Sequence, residues 1–222
     1  MNQTPAHDHA NPELLAMIPD QARRVVDVGC MHGQLARALH ARQPGVHVAG
    51  VDIDPAYAEV AAGHCDLAMA GDIEGFDDAT FARLLPSDCW VFGDCLEHLR
   101  DPWALLRRIR AAIPDDGCLV ACVPNAQHWS VQWRLVSGNF RYEDSGLMDR
   151  THIRWFTRVT LLEMFAQTGW HVAQGLTRQL QLPDQDRYLE AVRAFARLTD
   201  LDPELAAQDA TPFQYVFRVV PQ

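Results

Sequence analysis

Two histidines stand where a proton can be taken from a substrate. His98 belongs to the run Gly93-Asp94-Cys95-Leu96-Glu97-His98-Leu99, and His152 to Asp149-Arg150-Thr151-His152-Ile153-Arg154-Trp155-Phe156-Thr157. An imidazole titrates near neutral pH, so either side chain suits general-base work on a hydroxyl. A helical turn over 94–98 would put Asp94, Glu97 and His98 at i, i+3 and i+4, on one face. With His152 they make an O/O/N/N set able to hold Mg²⁺, Mn²⁺ or Zn²⁺, which would acidify a bound hydroxyl. Structural readings compete at each position. His98 can simply orient its loop, His152 can pin a segment through a backbone hydrogen bond, Asp94 can face a cofactor, and Glu97 can cap the next helix or pair with Arg100.

A second constellation points to a nucleotide-like ligand. Arg24-Val25-Val26-Asp27-Val28 is a short β-branched run that reads as a buried strand, and Gly29-Cys30-Met31-His32-Gly33 follows it. The two glycines permit a tight turn and close approach of a ligand. Val48-Ala49-Gly50-Val51-Asp52 reads as the next strand, ending in a carboxylate that can accept hydrogen bonds from both hydroxyls of a ribose. A dinucleotide fingerprint is excluded, because G-x-G-x-x-G counted from Gly29 meets Met31 and Gln34. A phosphate-binding P-loop is excluded too, since all 19 basic residues are arginine and the motif needs lysine.

These residues need an α/β scaffold, and the chain supplies one. Its 222 residues and 48% hydrophobic content suffice for one domain with a substantial core. Asn11-Pro12-Glu13 reads as the start of a short helix through Met17. Strands are expected at 24–28, 46–51, 67–69, 89–92, 118–123, 170–176 and 214–220. Helices are expected at 33–42, from 55, around 77–85, at 102–113, at 157–167 and at 184–199. In the 184–199 helix, Leu189, Val192, Phe195 and Ala196 are expected to face inward. The alternation predicts a parallel sheet with right-handed crossovers, and the last strand is expected to pair antiparallel at the sheet edge.

From 124 to 156 the regularity breaks, in a stretch rich in Trp129, Trp133, Arg141, Arg150, His152 and Trp155. It follows the carboxyl end of a central strand, the edge where open α/β sheets bind ligands, and reads as a substrate-facing cap. The tryptophans either wall a pocket for a ring or sugar face or pack the cap. The arginines, Arg154 included, either meet an acidic substrate or pair with Asp144 and Asp149.

The net charge of −10 argues against a nucleic-acid backbone or an anionic membrane as partner. No apolar run reaches the roughly 18 residues of a membrane span, and the polar stretch 1–10 does not read as a signal peptide. His7 and His9, in that stretch, read as solvated. Six cysteines without a C-x-x-C pair, three of them (Cys30, Cys118 and Cys122) in or beside strands, read as buried thiols in a reducing cytoplasm.

The pattern from Asp27 to Gly33 resembles motif I, D-x-G-x-x-x-G, of class I S-adenosylmethionine (SAM) methyltransferases. The resemblance extends through Gly50-Val51-Asp52, Gly71-Asp72-Ile73-Glu74, the run 93–99, Asp101-Pro102-Trp103, Val123-Pro124-Asn125 and the run 149–157. It covers nearly the whole chain and points to the bacterial group that includes quinone, sugar and natural-product O-methyltransferases. It implies a single Rossmann-like domain over 1–222 with a mostly parallel seven-stranded sheet, an antiparallel last strand, a cap insertion at about 124–156 and an extra helix at about 184–199. It implies SAM as cofactor. Gly29, Cys30, Met31 and Gly33 would cradle its methionine part, Asp52 its ribose and Asp72 its adenine amino group. Ile53 and Ile73 would pack on the ring, and Asp27 and Asp94 would complete the set.

Met31 departs from the small residue most relatives carry in the loop. The expected reaction is methylation of a small-molecule hydroxyl on a sugar or glycan intermediate, a quinone or an aromatic natural product. An RNA 2′-O-methyltransferase and a non-catalytic SAM-binding accessory subunit are the alternatives. The helix at 184–199 is a candidate for closing the site or for pairing two copies in a homodimer.

Overall fold

The structure is a computed structural model that describes residues 9–222, so His7 lies outside the described residues; His9 is exposed. Strands β1 (Arg24–Val28), β2 (His47–Asp52), β3 (Leu67–Ala70), β4 (Cys89–Gly93), β5 (Cys118–Pro124), β6 (Trp170–Arg178) and β7 (Gln214–Pro221) form one sheet of order β3-β2-β1-β4-β5-β7-β6. β3, β2, β1, β4 and β5 pair in parallel, and β7 runs antiparallel to both β5 and β6. The strand order reverses between β1 and β4, so the crevice for a ligand opens beyond their carboxyl ends. The glycine loop follows β1, and Asp94 to His98 follow β4.

β1, β2, β4 and β5 are buried on both faces, which is why they read as mostly apolar runs. One face carries a cluster with Trp90, Phe92, Leu106, Ile109, Phe165 and Trp170, and the other a cluster with Met17, Leu39, Val48 and Val120. The crossover helices bury one stripe each. On α5 (Pro102–Ala112) the stripe is Leu105, Leu106 and Ile109, and Asp101 caps the helix by accepting from Ala104 N–H at 3.0 Å. Among the described residues, no helix is long and apolar enough to cross a membrane.

Four local expectations are corrected. β7 sits between β5 and β6, and β6 forms the edge. β7 is the more apolar strand and takes the enclosed position, whereas beyond Trp170 most of β6 is exposed. The cap contains a helix, α6 (Trp129–Val136), capped by the His128 side chain. A further helix, α9 (Pro203–Ala210), follows α8 (Gln185–Leu198). Its start, Asp202-Pro203-Glu204, has the chemistry of Asn11-Pro12-Glu13, where α1 (Pro12–Met17) begins. Asp202 and Asn11 each accept from the two backbone N–H groups that follow the proline. Finally, Phe195 is 65% exposed while Leu189 and Ala196 are buried. At 100° per residue, Phe195 falls about 120° away from Leu189 around the helix.

Candidate active site

The glycine loop leaves β1 through left-handed backbone at Gly29, Met31 and Gly33, with φ of 77°, 46° and 78°. Gly29 N–H and Cys30 N–H donate to Val51 C=O at 2.8 and 3.1 Å, holding the loop against the end of β2. Asp52 is 5% exposed; its Oδ2 accepts from Met31 N–H at 2.8 Å and its Oδ1 from Asp54 N–H at 2.9 Å. Each oxygen keeps a second lone pair for a ligand hydroxyl. Burial pushes the Asp52 carboxyl up, against the backbone hydrogen bonds that lower it. Asp27, one strand away, is pushed up to about 7, first by burial and then by the charge of Asp52. Two buried acids that repel each other favour a cationic ligand, and Ile53, 51% exposed, offers an apolar face beside Asp52. The set fits a cation joined to a ribose and a flat ring.

The next two expected contacts lie differently. Asp72 accepts from Glu74 N–H with one oxygen and ion-pairs with the exposed Arg100 through the other. Ile73 is 4% exposed and belongs to the core, because the 3-10 turn Ile73–Gly75 rolls it inward. Ile53 is therefore the exposed one of the expected ring contacts.

Beyond β4 the chain turns through Asp94, at φ 53°, into the 3-10 turn Leu96–His98. Asp94 Oδ1 accepts from Gln214 Nε2 on β7, and the Gln214 oxygen accepts from Arg178. Burial pushes Asp94 up to about 6, opposed by Arg178 and the Gln214 hydrogen bond. Because residues 94–98 do not form one helical turn, Asp94 lies outside the group of potential metal ligands. That group is Glu97, His98 and His152, whose ligand atoms all lie within 4.8 Å of one another.

Glu97 is 1% exposed, and neither carboxyl oxygen has a hydrogen-bond partner among the described residues. Burial, then the charges of Asp94 and Asp149, pushes its carboxyl well up. It caps nothing and does not meet Arg100, which pairs with Asp72 and Glu74. His152 Nε2 lies 3.9 Å from Glu97 Oε1, and the two imidazole rings stand 4.8 Å apart, centre to centre.

The tautomers follow from the partners. His98 Nδ1 lies 3.1 Å from both the carbonyl and the hydroxyl oxygen of Thr151, and that hydroxyl donates its hydrogen to Asp149 Oδ1 at 2.6 Å. Nδ1 of His98 therefore carries the hydrogen. Nδ1 of His152 donates to Leu147 C=O at 3.3 Å. Both Nε2 atoms are left with lone pairs. Burial lowers the pKa of His98, and burial with the charge of His98 lowers His152 to about 4, so both rings are neutral near pH 7.

The cap delivers His152 by docking on Glu97. Ile153 N–H and Arg154 N–H donate to Glu97 C=O at 3.0 and 2.9 Å, and Ala126 N–H to Phe156 C=O at 2.8 Å. A small pocket abuts the group, lined by Glu97, Asn125, Leu147, His152, Trp155 and Phe156. Of the three cap tryptophans, Trp155 borders this pocket, with its ring 6.1 Å from His152. Trp129 instead stacks on Tyr188 of α8 at 4.7 Å, and Trp133 packs beside the same ring. Arg150 pairs with Asp144, and Arg154 donates to Arg100 C=O. The sequence did not single out Thr151 or Leu147, and offered Asp149 only as a partner for the arginines. The signal available was the run 149–157, where two of them stand within three residues of His152.

A family model described as a methyltransferase domain matches residues 7–174. No curated protein sequence matches the chain. Among solved structures, the chain is similar to one from the complex of the Haloferax volcanii Trm112 methyltransferase activator with a methyltransferase, at 19% identity and TM-score 0.61, over 95% of this chain and 88% of that one. It is similar to a SAM-dependent methyltransferase from Mesorhizobium loti at 19% identity and TM-score 0.59, over 94% and 96%. A third similar structure is the O-methyltransferase of a trans-AT polyketide synthase from Brevibacillus brevis, bound to S-adenosylhomocysteine, at 15% identity and TM-score 0.59, over 95% and 71%. At these identities the structures establish the shared fold.

Proposed function

The chain belongs to the methyltransferase-domain family, and from that premise we propose that it transfers the methyl group of SAM to a hydroxyl oxygen of a small molecule. The observation that carries the oxygen acceptor is the pair of neutral Nε2 lone pairs, on His98 and His152, at the same sheet edge as the glycine loop and Asp52. The cofactor supplies an electrophilic methyl group on a sulfonium. Asp52 has acceptor capacity left for the ribose hydroxyls, Ile53 has apolar surface for the adenine, and Asp27 and Asp52 supply negative charge for the methionine end.

At the acceptor end, His98 is the more open of the two imidazoles, and its Nε2 takes the hydroxyl proton as the new O–C bond forms and the S–C bond breaks. A chain of net charge −10 suits a small acceptor over an RNA 2′-O position. The six cysteines are all free and buried, which fits a reducing cytoplasm. An accessory subunit would have no need of two imidazoles fixed in one tautomer. The test is His98→Ala with His152→Ala. Turnover should vanish while S-adenosylhomocysteine affinity stays within a few-fold; unchanged turnover would sink the assignment.

A further inference from the structure

Three metal-ligating side chains meet beyond β4, and no hydrogen-bond partner among the described residues reaches the Glu97 oxygens. The three offer the buried Glu97 carboxylate and the Nε2 lone pairs of His98 and His152. Both imidazoles spend their hydrogens outward, on Thr151 and Leu147. A cation at the centre of the three would hold Glu97, buried and with neither oxygen hydrogen-bonded, in its charged form.

We propose that Glu97, His98 and His152 hold a divalent cation of the Zn²⁺ class through one carboxylate oxygen and two Nε2 atoms. Ligands about 2.1 Å from a tetrahedral ion stand about 3.4 Å apart. His152 Nε2 and Glu97 Oε1, now 3.9 Å apart, need to close by about 0.5 Å. Two imidazoles and one carboxylate suit Zn²⁺, Co²⁺ or Fe²⁺, whereas Mg²⁺ prefers oxygen throughout. The outer shell is already built. Thr151 and Leu147 fix the two rings from behind, as carbonyl or carboxylate partners do at metal-bound histidines, and Asp149 holds Thr151.

The proposal rests on the methyl-transfer reading for what the ion meets. Three protein ligands leave coordination positions open, and the pocket of Trp155, Phe156 and Asn125 abuts them. An acceptor with two adjacent oxygens, a vicinal diol or an ortho-hydroxyquinone, would fill two such positions. With the ion in place both imidazoles are ligands. One acceptor oxygen then forms the O–C bond as the S–C bond breaks, and its proton passes to solvent instead of to His98.

The full-length protein, stripped by a chelator, would be dialysed against Zn²⁺, Co²⁺ or Mg²⁺ singly. Bound metal would be measured by mass spectrometry, and the Co²⁺ form by its visible absorption. One equivalent of Zn²⁺ or Co²⁺ is expected, with no retained Mg²⁺. Glu97→Gln and His152→Ala should lose it. S-adenosylhomocysteine binding should persist in every variant, which reports that each still folds. No stoichiometric ion in the wild type, or equal uptake by Glu97→Gln and His152→Ala, overturns the site. Full methyl transfer by the stripped protein removes the ion from the chemistry and leaves the methyl-transfer reading standing. An ion bound through these residues without methyl transfer to any diol supports the site and removes that reading.

Discussion

Asp27→Asn should make the protein more stable and its stability less dependent on pH. Asp27 is 5% exposed and titrates at about 7 in the folded chain, chiefly because burial disfavours its charge. In the unfolded chain it titrates near 3.8. Between those values the folded state holds a proton that the unfolded state has released. Its contribution is therefore intact below about pH 4 and is lost as pH rises to about 7. The loss is about 1.4 kcal/mol per pH unit, about 4 kcal/mol in all.

Asparagine has nearly the shape of the protonated acid and does not titrate. The two proteins should thus be similar near pH 4 and diverge by a few kcal/mol at about pH 8. Other raised acids, such as Asp94, are common to both proteins and largely cancel in the difference. Urea unfolding of both, at steps from about pH 4 to about pH 8, reads the gap. A gap that stays constant with pH would refute a neutralised Asp27. The substitution should also weaken S-adenosylhomocysteine binding above about pH 7, where the wild-type side chain is charged. The two outcomes together would mark Asp27 as a residue kept for the ligand.

Three further outcomes follow from local geometry. Met31→Gly relieves a left-handed residue at a strain of about 1–2 kcal/mol, against about 0.5–1 kcal/mol of added chain entropy. Thermal melts should therefore show unchanged or slightly raised stability; a clear loss would mean that the Met31 side chain packs productively. Arg158→Met breaks a two-pronged ion pair to Asp209, at 2.7 and 2.9 Å, and leaves a carboxylate that is 6% exposed. With Arg158 about a third exposed and its interaction screened, the loss should be about 2 kcal/mol, lowering Tm by about 4–8 °C. Asn11→Ala removes two caps at 3.0 Å each and should lower stability by about 1 kcal/mol in denaturant titration. No change would mean that α1 is held by its buried Leu14 and Met17 alone.

The sheet and the glycine loop were legible because their signals are local. The run 118–123 is apolar throughout, 24–28 carries three valines, and Gly29 and Gly33 stand where the chain takes positive φ. What escaped depended on partners far along the chain. The position of β7 is a competition between two strands for one enclosed slot. Asp94 leaves the Glu97 group because the backbone turns at it, at φ 53°, and its carboxylate meets Gln214, 120 residues away. Likewise, the pairing of Asp72 with Arg100 and the inward turn of Ile73 are set by the 3-10 turn at 73–75. α9 is the exception, because its Asp-Pro-Glu start was readable by the rule that found α1. In the site, residue types and motif positions pointed to His98 and His152, which the fold brings within 4.8 Å, while the partners that set their tautomers emerge only from the docking of the cap.

The central claim is methyl transfer to a hydroxyl oxygen at the His98–His152 edge. The most direct measurement incubates the protein with methyl-labelled SAM and small-molecule extracts, beside the protein carrying His98→Ala and His152→Ala. The account predicts a labelled O-methyl product with the wild type and none with the double variant, both binding S-adenosylhomocysteine alike. Label carried on nitrogen or on RNA, or equal product from both proteins, would contradict it.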